Sequence, residues 1–225
     1  MAKASTRAPV RGPAFIRLLA RFGDADLPHT PPLLTERLAQ WFDWNRALVL
    51  SHALDGGVAV AGNDTEDDAM PDAGCGEVRQ ALMQQIDADV APTIDYAPYR
   101  QHCVTAQRAM QSATGLLRGR LRDALARQSP AKARLAGVDA VMEATLSPRE
   151  LMLLARVPAL LGLHFQRLRD AAASRADTGA PDENTAAPAA GPWLARFRQD
   201  MRSALLAELE VRFHPIDGLL AALRS

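Results

Sequence analysis

The sequence predicts an all-α protein, an irregular multi-helix bundle with a long central helix pair and a disordered acidic loop. Three observations carry this expectation. Ala, Leu, Arg and Gln abound while aromatic and β-branched residues are sparse, so local propensity favours helix along nearly the whole chain. Apolar positions recur with a 3.6-residue period in several long windows. Proline and glycine fall between those windows more often than within them. With 225 residues, 48% of them hydrophobic, the chain is long enough to bury a sizeable core.

Residues 1–13 read as a flexible basic tail and residues 14–224 as one helical domain. Ala14 to Phe22 forms a short amphipathic helix in which Phe15, Ile16, Leu18, Leu19 and Phe22 alternate with Arg17 and Arg21. Those arginines and the missing cleavage site argue against a secretory leader. Docking on the protein's own core is the expected fate of this helix, and an anionic membrane surface is the alternative. After a Pro-rich turn at 28–32, Leu33 to Leu54 reads as a helix, and the density of Trp41, Phe42 and Trp44 suggests an anchor of the core. Residues 55–76, rich in glycine and acids and without helical period, read as a disordered loop. Glu77 to Val90 is a short helix, and 91–98 a proline-bounded connector.

Pro98 to Gln128 is the longest helical candidate. At 100° per residue Cys103, Ala106, Met110, Ala113, Leu117, Leu121 and Ala124 fall within an arc of roughly 80°, which is a core-facing stripe. Arg100, Gln107, Arg108, Gln111, Arg118 and Arg122 occupy a comparably narrow arc on nearly the other side, with Gly115 and Gly119 in its middle. These eight residues form a candidate partner-binding face, since a glycine inside a helix costs about 1 kcal/mol relative to alanine and lets a second backbone come close. An ordinary solvated face is the reading favoured over it.

Ser129-Pro130 starts the next helix, which is expected to end near Thr145. Ser147-Pro148 with Glu150 supplies a second start signal of capping-box type, so a further helix is expected from Pro148. The apolar run that follows contains Pro158 and Gly162. Pro158 removes the hydrogen bond to the Leu154 carbonyl and should kink this central helix. The run spans fifteen residues from Leu151 to Phe165 and contains Arg156, which is too short and too charged for a bilayer. Residues 174–191 read as a linker. A final helix covers Pro192 to Phe213, with Pro215 separating it from a short Leu-rich end.

The formal net charge of zero hides a separation of sign. From Asp55 to Asp95 there are ten acids and one base, a net of 1 − 10 = −9; from Pro98 to Arg134 there are eight bases and one acid, 8 − 1 = +7. Neighbouring segments that neutralise one another explain this better than an anionic partner does. Of the 26 basic residues only Lys3 and Lys132 are lysines, a bias that genome composition also produces.

No constellation points to a reaction, and the expectation is a non-enzymatic protein without cofactor or metal. Histidines 29, 52, 102, 164 and 214 show no metal-ligand spacing. Cys103 lies on the apolar stripe and reads as a buried thiol, and two cysteines give no disulfide framework. His164 reads as a hydrogen-bonded core residue. The acids Asp64, Glu66, Asp67, Asp68 and Asp72 lack the order of an EF-hand loop. DGGVAVAG lacks the strand and lysine of a phosphate loop. LSPRELMLLARV resembles the first helix of the LuxR-type helix-turn-helix domain over about ten residues. The glycine turn and recognition helix that should follow are missing, so DNA reading by this segment is not expected.

Four longer phrases, LLTERLAQWFDWNRALVLSHAL, DYAPYRQHCVTAQRAMQSATGLLRGRLR, ARLAGVDAVMEATLSPRELMLLARVPALLGLHFQRLR and FRQDMRSALLAELEVRFHPIDGLLAALR, together resemble an uncharacterised proteobacterial family, domain of unknown function 3348. The resemblance implies no catalytic residue. It implies a genomic setting beside an OmpA-like protein and an inner-membrane protein similar to proton channels of the MotA/TolQ type. The expected function is therefore an adaptor or scaffold that binds protein partners, cytoplasmic or peripheral at the inner membrane, with no transmembrane segment. Nucleic acid or an anionic surface, bound through the Arg-rich segment 98–134, is the alternative, and the oligomeric state is open.

Overall fold

A computed structural model describes residues 14–22, 44–55, 71–178 and 191–225. The basic tail, the Pro-rich turn, residues 33–43 with Trp41 and Phe42, most of the acidic loop and residues 179–190 of the linker lie outside the described residues. Seven helices are described: α1 (Ala14–Phe22), α2 (Trp44–Leu54), α3 (Pro71–Ile86), α4 (Ala97–Gln128), α5 (Pro130–Leu154), α6 (Val157–Thr178) and α7 (Pro192–Arg224). No strand occurs among the described residues, and the helices pack on one another in an all-α bundle.

The two longest helices, α4 and α7, make the main contact of the bundle. The α4 stripe fulfils its expectation: Cys103, Ala106, Met110, Leu117 and Leu121 are buried, joined by Tyr99 and Leu125. From α7, Phe197, Met201, Ala204, Leu205, Leu209 and Phe213 meet them. An aromatic group fixes the end nearest the α7 start, where Phe165 of α6 lies 4.9 Å from the Phe197 ring, edge to face, and Tyr99 lies 5.3 Å from Phe197. Such edge contacts suit the ring quadrupoles. The short α1 docks on α6 and α7, burying Phe15 and Phe22, and the Phe22 ring stacks 4.6 Å from His164.

Several element boundaries depart from the sequence expectation. α5 does not end near Thr145, and no helix starts at Pro148. Instead α5 runs through Ser147 and Pro148 to Leu154, and the chain turns at Ala155–Arg156 before α6 begins at Val157. The expected kinked helix from 148 is thus divided between two helices. Pro158 causes this by occupying the second position of α6, where a missing amide costs nothing. Ser129 does cap α5 as expected, accepting the Lys132 amide at 3.2 Å.

At the other end, α7 does not stop before Pro215 but continues through it to Arg224, placing Ile216, Leu219 and Leu220 in the core. Part of the loop expected over 55–76 is helical, because Pro71 to Gly76 belongs to α3, and Cys75 is buried. The start of the linker expected from 174 is also helical, since α6 reaches Thr178. Trp44 is no core anchor: it is 77% exposed, and Ala53 is the buried residue of α2, which packs on α5.

Candidate functional site: a groove along α4

The α4 face singled out in the sequence becomes one wall of a groove. A cavity of about 260 Å³ is lined by Arg100, Gln107, Arg108 and Gln111 of α4, by Leu151 and Leu154 of α5, by Pro158 of α6 and by Arg212 of α7. A second, of about 420 Å³, continues from it along Gln111, Gly115 and Arg118, opposite Pro148 and Glu150 of α5 and Pro215 of α7. The two share Gln111, Leu151 and Arg212. Six of the eight expected face residues line this groove, whereas Gly119 and Arg122 do not.

The groove floor is a polar cluster built from three helices. Glu208 of α7 is fully buried, and Arg212 one turn later donates to its Oε1 from Nε at 3.0 Å and from Nη2 at 2.8 Å. Gln107 Nε2 donates to Glu208 Oε2 at 2.8 Å and also to the Leu154 carbonyl at 2.9 Å. That carbonyl is the acceptor deprived of its helical partner by Pro158, so a side chain 47 residues away in sequence restores the bond. Burial pushes the Glu208 carboxyl above its ordinary pKa, against the opposing pull of Gln107 and Arg212.

Further along, the arginine stripe divides into two parts. Arg118 donates to both Asp139 oxygens, at 2.8 and 2.7 Å, and Arg122 bonds Asp139 at 3.2 Å and also Glu143. Burial disfavours the Arg118 charge, but its hydrogen bonds to Asp139 and the nearby charges of Asp139, Glu143 and Glu150 together outweigh that and raise its pKa. These two residues therefore clasp α4 to α5. Arg100 and Arg108 are exposed and form no ion pair among the described residues. The groove thus has uncompensated positive charge at one end, while at the other Glu143 and Glu150 lie beside Arg118 and Arg212.

Prolines shape this second end. Pro148 lies within α5 and Pro215 within α7, so the carbonyls of Ala144 and Val211 lack the amide that a continuous helix would offer them. Both residues line the larger cavity, as do the two prolines. At the first end, the Tyr96 hydroxyl donates to the Pro158 carbonyl, and its ring lies over Gly162, where an added Cβ would come within 2.9 Å of Tyr96 Cε1. Gly162 is what lets Tyr96 pack on the α5–α6 turn.

The remaining candidates are structural. Cys103 is buried, and burial pushes its thiol up to about 12, so it is neutral at physiological pH. His164 Nε2 lies 2.8 Å from Asp200 Oδ2, a hydrogen-bonded core histidine as expected. His102 Nε2 lies 3.2 Å from the Ile86 carbonyl. Two acids of the acidic segment pair with α7: Arg202 bonds both Asp87 oxygens, at 2.6 and 3.0 Å, and Arg198 pairs with Asp89, while the segment's own Arg79 reaches Asp217 of α7 at 2.9 Å. The Arg202 hydrogen bond holds the Asp87 carboxyl below its usual range. Among the described residues no group of three or more His, Cys, Asp or Glu side chains could hold a metal ion, and no helix is long and apolar enough to cross a membrane.

Sequence reasoning missed Glu208 and Arg212. A signal was present, because both fall on the i, i+3/i+4 ladder of Met201, Leu205, Leu209 and Phe213, where a charge needs a buried partner.

No curated protein and no solved structure matches the chain. A match to the family described as "Protein of unknown function (DUF3348)" extends over residues 1–225, and the chain belongs to that family.

Proposed function

We propose that the protein is a helical adaptor that binds a protein partner in the groove between α4, α5 and α7. One observation carries this reading: the groove keeps two cationic side chains, Arg100 and Arg108, beside an apolar wall of Leu151, Leu154 and Pro158, with no ion pair made to either within the described fold. Gly115 supports it, because a Cβ there would meet nothing within 4 Å, so packing inside the protein does not require a glycine. The genomic setting that the family resemblance implies makes a component of an envelope complex the expected partner, met from the cytoplasmic side.

The competing reading, nucleic acid or an anionic surface bound by 98–134, has less charge to draw on than the sequence suggested. Arg118 and Arg122 are already bonded to Asp139 and Glu143. Binding of that kind would weaken steeply with salt. Gly115→Trp fills the groove. Co-purification from native cells followed by mass spectrometry should show a specific protein lost from the folded variant. An unchanged set of co-purifying proteins would remove the adaptor reading for this face.

A further inference from the structure

Uncompensated positive charge lies at one end of the groove, and that end specifies the chemistry of its occupant. Arg100 and Arg108 are separated by eight residues of α4, a rise of about 12 Å at 1.5 Å per residue. Both are exposed and without a carboxylate among the described residues. Two carboxylates on another helix match that interval when they are seven or eight residues apart, two turns along one face. The far end is balanced in charge, with Glu143 and Glu150 beside Arg118 and Arg212.

Between the two ends the wall changes character. Gly115 leaves open space where a Cβ would stand, and Leu151 lies opposite. A ridge of side chains, or a helix backbone approaching closely over the glycine, fits such a surface. At about 260 and 420 Å³ the two cavities hold a row of side chains, not a folded domain.

We propose that the groove seats one amphipathic helix of a protein partner, carrying two carboxylates two turns apart over Arg100 and Arg108. This rests on the adaptor reading above and adds the partner's chemistry.

The test uses the full chain in its native cells, with Gln111 replaced by a photoreactive benzophenone amino acid. The cross-linked peptide is mapped by mass spectrometry. The expected product is a segment of another protein with acids at i and i+7 or i+8. Arg100→Glu combined with Arg108→Glu should reduce its yield at least tenfold, whereas Arg120→Glu with Arg127→Glu, on the same helix outside the groove, should leave it unchanged. Replacing the two mapped acids of the partner by arginine should restore the yield with the reversed variant.

Cross-linking to a protein segment without those acids, or a yield indifferent to the Arg100 and Arg108 reversal, overturns the proposed chemistry and leaves the adaptor reading standing. Cross-linking to a second copy of this chain, to nucleic acid or to lipid, or to nothing, overturns both.

Discussion

Gly115 and Gly162 both lie inside long helices, and what an added methyl group would meet differs between them. At Gly115 nothing lies within 4 Å of the position a Cβ would take, so Gly115→Ala gains the helix preference of alanine, up to about 1 kcal/mol, without a steric penalty. At Gly162 the same atom would come within 2.9 Å of Tyr96 Cε1, and Tyr96 would have to give up its bond to the Pro158 carbonyl. Gly162→Ala should therefore lose about 1–3 kcal/mol despite the gain in propensity. Urea denaturation of the two variants should give shifts of opposite sign.

Glu208 allows a prediction with a pH dependence. Arg212→Ala leaves the buried carboxylate without its cation and should cost about 3–5 kcal/mol at neutral pH. The folded-state pKa of Glu208 lies above its ordinary 4.5, so above pH 4.5 the folded state retains a proton that the unfolded chain releases. This group's contribution to stability therefore falls as pH rises through that window. Losing Arg212 raises the folded value further. The deficit of Arg212→Ala should accordingly shrink as pH is lowered from 7 towards 4.5, and denaturation midpoints of the variant and the parent at several pH values would check it.

At the level of elements, the prolines behave differently from one another for reasons that local sequence does not carry. Ser147-Pro148 has a capping serine and a following glutamate, yet α5 runs through it, while Arg156-Val157-Pro158 lacks such a cap and becomes the break. The difference lies in what surrounds the break. Gln107 of α4 satisfies the Leu154 carbonyl that Pro158 frees, and Tyr96 braces the start of α6 by donating to the Pro158 carbonyl, from 47 and 62 residues away. Those partners offset the second break, and no window of ten or fifteen residues contains them. Pro148 and Pro215 persist within their helices beside the groove. If they serve the groove rather than the fold, Pro148→Ala restores an amide to the Ala144 carbonyl and should stabilise the protein, by up to ~3 kcal/mol, while weakening partner binding. Thermal unfolding beside a binding measurement would separate the two effects, and a loss of stability would mean that the core is packed around the kink.

Across the whole molecule, what depends on a single helix is legible in the sequence. Apolar spacing places a helix at 98–128 against the observed Ala97–Gln128, it marks the buried stripe of that helix, and Ser129 reads correctly as a cap. Relations between helices are not legible. The −9 and +7 segments look like natural partners, yet Asp87 and Asp89 pair with α7, and Arg118 and Arg122 pair with α5. The candidate face does gather on one side of α4, but its division into a clasp and an open groove depends on where Asp139 and Glu143 come to lie. Trp44 shows the same limit: aromatic density says that a surface is available for burial, not that the bundle buries it.

The central claim is that the fold supplies a groove whose occupant comes from outside the chain. Amide hydrogen exchange of the full chain, alone and with the partner recovered by co-purification, tests it most directly. Added protection is expected only along the walls of the groove, in α4 from Arg100 to Arg118, in α5 from Ala144 to Leu154 and around Val211 to Pro215 in α7. Protection that appeared instead on α1, α2 or α3, with the groove walls exchanging as before, would contradict it.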